Sequence, residues 1–194
     1  MTKDNPNRVV ILVLLGWLCF AVGLSGWLYS ASALAVAATV WTLTALALFA
    51  CWKISPIRVW ALNVDLRWLV LFHVTRLFAG AYFLVLCERD QLPCGFARPA
   101  GWGDIVVAVL ALAVVGAMRT QFAKTLLLIW NAIGLIDIVF VVFSALRFGL
   151  QGWQSMHAPR ELPLSLLPTF LVPLVIASHV LIFIRLARAG RNLQ

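Results

Sequence analysis

Six long apolar stretches, parted by short polar segments, constrain this chain more than any other feature. A helix needs about 20 apolar residues to cross the hydrocarbon core of a bilayer. Helices and closed barrels are the structures that keep every backbone hydrogen bond satisfied there. The stretches fall at about 9–29, 32–52, 66–87, 105–118, 125–146 and 164–184. They predict an all-α polytopic membrane protein: one integral domain over 1–194, folded as a six-transmembrane-helix bundle. Composition argues against a soluble alternative, because 63% of the residues are hydrophobic and 11% charged. Soluble domains carry about 25% charged residues. A cleavable leader does not fit the first stretch, which is too long for a signal core and lacks a clean A-x-A site after it.

The connections carry further signals. Ser30, Ala31 and Ser32 leave almost no loop between the first two spans. Ser55-Pro56 reads as a helix start, with serine as cap and proline in the first turn. The following residues, with Arg58, Trp60, Asn63 and Asp65, are too polar for the bilayer core and read as a short interfacial helix before span 3. Residues 88–103 read as a loop, since Pro93, Gly95, Pro99, Gly101 and Gly103 crowd into it. Asp104 then reads as the structural cap of span 4. That span, 105–118, would rise only about 21 Å at about 1.5 Å per residue. Either it starts nearer Pro99 or it sits in thinned bilayer.

Charge sets the orientation. The net charge is +8. Both termini and the connections after spans 2 and 4 hold ten basic residues (Lys3, Arg8, Lys53, Arg58, Arg67, Arg119, Lys124, Arg185, Arg188 and Arg191) against Asp4 and Asp65. The opposite side holds Arg89, Arg98, Arg147 and Arg160, balanced by Glu88, Asp90, Asp104 and Glu161. The positive-inside rule therefore predicts a bacterial inner (cytoplasmic) membrane protein with both termini in the cytoplasm. Its expected partner is the lipid bilayer. No run of five basic residues occurs, so nucleic acid is not an expected partner. Trp27, Trp52, Trp60, Trp68, Trp102 and Trp153 lie near proposed span ends, as interface anchors do.

Function must be sought among the polar residues inside the spans. An ionisable group there costs roughly 2.5–3.5 kcal/mol on insertion scales. His73 and Arg76 in span 3, Asn131 and Asp137 in span 5, and His179 in span 6 fall at similar depth. His73 and Arg76 share a helix face at i, i+3. Several readings stay open. Arg76 and Asp137 could form an ion pair that lets both be buried, with the histidines and Asn131 bonding between helices, in a structural or partner-binding module. The same residues could bind a small molecule, or move a small solute or protons. His73 and His179 could be the axial ligands of a haem b in an electron carrier. They could also hold a metal with Asp137, although no H-x-x-x-H or E-x-x-H spacing supports that. No Ser/His/Asp or H-E-x-x-H arrangement points to intramembrane hydrolysis, so enzyme activity is not the expectation. Pro173, inside span 6, removes the hydrogen bond to the carbonyl of Thr169 and predicts a kink. Cys87 and Cys94, seven residues apart on the oxidising side of this topology, are candidates for a disulfide.

The segment Arg67-Trp68-Leu69-Val70 with His73 and Arg76 is one of two stretches that carry a resemblance. The other is Leu92-Pro93, Phe96-Ala97 and Pro99-Ala100-Gly101-Trp102-Gly103-Asp104. Together they resemble a group of small bacterial multi-pass inner-membrane proteins of uncharacterised function. Pro173-Leu174 followed by His179 resembles the last helix of that group. The likeness covers about half the chain. It implies a location and a helical fold, without a reaction.

Overall fold

A computed structural model of the chain describes residues 5–191. Lys3 and Asp4 of the charge tally lie outside them. All regular structure among the described residues is helical: α1 (Pro6–Ser30), α2 (Ala33–Lys53), α3 (Ser55–Asn63), α4 (Leu66–Phe72), α5 (Thr75–Glu88), α6 (Cys94–Ala117), α7 (Ala123–Gln151) and α8 (Val172–Arg191). Among the described residues, six helical segments are long and apolar enough to cross a membrane: Pro6–Ser30, Ala33–Lys53, Leu66–Glu88, Cys94–Ala117, Ala123–Gln151 and Leu167–Arg188. The short helix expected before span 3 is α3. Pro56 stands in its first turn as expected. Ser55 does not cap it: the cap position is Ile54, with no side-chain bond.

Residue contacts divide the chain into two compact units. One comprises Met1–Val64 and Ala158–Ala177, the other Asp65–His157 and Ser178–Gln194. The division falls within α8.

In the first unit, Ser32 caps α2, its side chain accepting from the amide of Ala35 at 3.3 Å. Pro173 has the local effect its chemistry demands. Residues Leu167–Leu171 widen into a π-helical turn just before it. The carbonyl of Thr169, which the proline leaves without its helical donor, accepts from Trp17 Nε1 at 2.9 Å. Trp17 also meets the Phe170 ring edge-on, 5.6 Å between centroids. Arg160, counted on the outer side in the charge tally, is buried and donates through Nη1 to the carbonyl of Tyr29 at 3.0 Å. It thus occupies one of the carbonyls that the end of α1 leaves over.

The second unit corrects the reading of span 4. Residues 94–104 are not loop. They are the first turns of α6, which runs for 24 residues with Pro99 inside it. The connection from α5 shrinks to Arg89–Pro93, closed by a disulfide between Cys87 and Cys94 with Cα atoms 4.9 Å apart. Asp104 is therefore no cap. It lies mid-helix and is buried. Trp102 likewise sits within the helix rather than at its end.

The glycines that made this segment look like loop are packing residues. A methyl group on Gly80 of α5 would collide with the carbonyl of Gly101 and come within 2.9 Å of Asp104 Cβ. One on Gly101 would stand 2.8 Å from the carbonyl of Gly80. Ala97, Ala100, Ala108 and Ala111 continue the same buried stripe. Small side chains at i, i+3 and i+4 let two backbones approach closely, as interfaces between membrane helices commonly require.

The obstacle at Gly80 is backbone, which cannot swing aside. Gly80→Ala is therefore expected to lower stability by about 1–3 kcal/mol, read by thermal unfolding in detergent. Gly16→Ala is the control, because nothing lies within 4 Å of its added methyl. Equal melting of the two variants would contradict the close approach.

Candidate functional site

The second unit gathers all five residues singled out from the spans, and adds two. Span 3 is not one uniform helix. Between α4 and α5 the backbone tightens: His73 N bonds Val70 O at 3.0 Å, Val74 N bonds Leu71 O at 3.0 Å, and Arg76 N bonds His73 O at 3.1 Å. These are i to i−3 bonds. In such a 3₁₀ turn the side chains at i and i+3 eclipse. His73 and Arg76 are thus aligned more closely than an α-helix would align them.

Arg76 is 1% exposed, and its guanidinium is held from three directions. Nε donates to Asp104 Oδ1 at 2.6 Å. Nη2 donates to Asp137 Oδ2. Nη1 donates to the carbonyl of Gly134 at 3.2 Å. The expected pair of Arg76 with Asp137 is present, joined by the aspartate that had been read as a cap. Glycine makes room for this group too. A Cβ at Gly103 would overlap the carboxylate of Asp137. With one guanidinium and two carboxyls, the cluster has a formal charge of −1 when both acids are ionised and zero when it holds one proton. The side chain of Asp137 is 17% exposed, against 5% for Asp104, so it is the member open to the surroundings.

The histidines form a second, adjoining group. His73 and His179 are fully buried, with ring centroids 4.1 Å apart and planes at 42°. The Trp130 ring stands edge-on to His73 at 5.1 Å and tilted against His179 at 5.6 Å. Its own Nε1 donates to the carbonyl of Val107 at 3.0 Å. His73 Nε2 is hydrogen-bonded to Ser178 Oγ at 3.0 Å. His179 Nδ1 is hydrogen-bonded to Asn131 Oδ1 at 2.8 Å, and Asn131 Nδ2 donates to the carbonyl of His179 at 3.0 Å. Gly134 links the two groups. Its carbonyl takes the Arg76 bond, while a Cβ there would meet the His179 ring, 2.9 Å from Nε2.

Asp104 and Ser178 are the members that sequence reading missed. Asp104 did carry a signal. It falls on the helical stripe of Ala97, Ala100, Gly101, Val107, Ala108 and Ala111, once 94–104 is read as helix. Ser178 carried none, being a small residue in an apolar stretch.

This geometry bears on the cofactor readings. Haem b would need its two axial histidines on opposite faces of one macrocycle. Here the two rings pack directly on each other, and a macrocycle does not fit between them. Among the described residues no group of three or more His, Cys, Asp or Glu side chains is placed to hold a metal ion.

The family described as Domain of unknown function (DUF8737) matches residues 31–187. The match spans most of the chain and all of the cluster, so the chain belongs to that family. No curated protein and no solved structure matches it.

Removing one partner of a buried ionic group typically costs about 3–5 kcal/mol, because the other charge stays behind. Arg76→Leu is expected to lose that much. Arg76→Leu with Asp137→Leu is expected to recover little, since Asp104 remains buried and unpaired. Adding Asp104→Leu is expected to restore most of the stability. Unfolding of the three variants in one detergent checks the order, and full recovery in the double variant would exclude Asp104 from the group.

Proposed function

We propose that this chain is a multi-pass protein of a bacterial inner membrane, with both termini in the cytoplasm, and that its buried cluster moves protons. The observation that carries this is the joining, through Gly134, of the Arg76–Asp104–Asp137 group to the buried His73–His179 pair.

The membrane assignment draws on exposure as well as on helix length. Phe78 is 74% exposed two residues from buried Arg76, and Ile136 is 71% exposed beside Asp137. Charge turned inward and large apolar side chains turned outward is the arrangement that suits lipid as solvent. Orientation draws on the charge asymmetry. Moving Asp104 into the membrane changes the outer count to four basic against three acidic residues, while the inner count stays ten against two. The excess still favours cytoplasmic termini.

Protons are favoured over larger solutes by the packing. His73, Arg76, Asn131 and His179 are each at most 1% exposed; His179 is bonded to Asn131 and stacked on His73, and Arg76 is bonded to Asp104, Asp137 and the carbonyl of Gly134. Such packing leaves no room for a larger solute, whereas a proton needs only neighbouring polar atoms to accept it in turn. Two carboxyls, one more than the guanidinium neutralises, supply a place for a proton, and two imidazoles supply carriers.

A structural reading competes with this one, favoured by the pairing itself: Arg76 held by two acids and a carbonyl is a tie between helices. Proton flux decides between them. Liposomes containing the purified protein are expected to dissipate an imposed pH gradient faster than empty liposomes, and Asp137→Asn is expected to bring the rate down to that of empty ones. A wild-type rate equal to that of empty liposomes would leave the structural reading. For orientation, a fluorescent protein fused to the C-terminus is expected to mature and fluoresce in bacterial cells. A periplasm-dependent phosphatase at the same place is expected to stay inactive, and the opposite pattern would reverse the topology.

A further inference from the structure

Asn131 does more than bond to a histidine: its contacts decide which nitrogen of that histidine carries the proton. The backbone carbonyl of His179 can only accept. The edge of the Asn131 amide that faces it at 3.0 Å must therefore be the NH2 group. The other edge, facing His179 Nδ1 at 2.8 Å, is then the oxygen, which also can only accept. Nδ1 must supply the hydrogen. In a neutral imidazole the second nitrogen is then bare. That nitrogen, Nε2, is buried and hydrogen-bonded by no protein group among the described residues. It lies over Gly134, at 2.9 Å from where a Cβ would stand, and the carbonyl of Gly134 is the one Arg76 holds.

We infer that His179 Nε2 is the proton-accepting atom of the cluster and that Asn131 is a positioning residue, reserving it by fixing the Nδ1–H tautomer. This rests on the proposed proton function and names the atom that function would use. His73 differs. Its Nε2 partner is a hydroxyl, a group able to donate as well as to accept. Gly134 belongs to the arrangement because any side chain there would occupy the face that Nε2 looks onto.

The inference can be tested apart from transport. Nitrogen-15 NMR of protein labelled at histidine, in lipid nanodiscs at neutral pH, reports which ring nitrogens bear hydrogen. Three histidines contribute. His157→Gln and His73→Gln identify the His179 signals by subtraction. The expected result is a protonated Nδ1 and an unprotonated Nε2 at His179. Asn131→Asp, whose carboxylate still accepts from Nδ1, is expected to keep that form. Asn131→Leu is expected to give a mixture of tautomers and to lower proton flux in liposomes. A protonated Nε2 in the wild-type protein would overturn the assignment, whether or not the leucine variant folds. So would an Asn131→Leu protein with unchanged tautomer and unchanged flux. If wild-type liposomes carry no flux, the transport reading falls, while the spectrum still decides which nitrogen is the free base.

Discussion

One guanidinium shared between two carboxylates organises the second compact unit. A lone buried arginine would be prohibitively costly, and pairing with acids from two further helices offsets that cost. Arg76 comes from α5, Asp104 from α6 and Asp137 from α7. Their bonds therefore fix the relative rotation of three helices. The small residues follow from the same requirement. A guanidinium reaches a carboxylate at bonding distance only if the helices come close, and Gly80 against Gly101 is the closest approach available to two backbones. Gly103 and Gly134 clear the space that the Asp137 carboxylate and the His179 ring occupy. Without hydrophobic attraction between helices in lipid, such close packing and polar bonds are what hold helices together.

Two backbone irregularities mark places where regular helix would fail. The 3₁₀ tightening at His73–Arg76 brings two polar side chains into line. The π turn at Leu167–Leu171 accommodates Pro168 and Pro173. The second case shows how a broken helix bond is made good within its own compact unit. Pro173 has no N–H to give to the carbonyl of Thr169, and the indole of Trp17 donates to it. In an apolar medium an unpaired backbone carbonyl costs several kcal/mol. The position of Trp17 in mid-helix, unexplained by an interface role, has its reason here.

The number and placing of the long helices could be read from hydropathy alone, since burial in lipid writes its requirement into composition over about 20 residues. That His73, Arg76, Asn131, Asp137 and His179 belong together was legible for the same reason: a polar residue stands out against an apolar background. What hydropathy could not supply was the state of residues 94–104. Glycine and proline there have two meanings, as loop formers in water and as contact residues between helices, and a single sequence does not separate them. Misreading the segment took Asp104 out of the helix and left Arg76 with one acid instead of two. The 3₁₀ turn at His73 left no trace in the sequence, because it is set by the bonds of the folded side chains.

The two halves of the cluster differ in how completely they are satisfied. Arg76 uses Nε, Nη1 and Nη2 at once, and each meets an acceptor. A buried network satisfied in this way specifies one arrangement of helices and resists change. The histidines use one nitrogen each, and leave His73 Nδ1 and His179 Nε2 without a protein partner. An unsatisfied buried nitrogen is destabilising if it serves only packing, and leucine or phenylalanine would fill the same volume without that cost. Under the proposed proton function, a bare imidazole nitrogen near a group whose charge changes with a single proton has a use that neither side chain could fulfil. On the proposed function, the rigid half holds the geometry and the incompletely bonded half receives the proton.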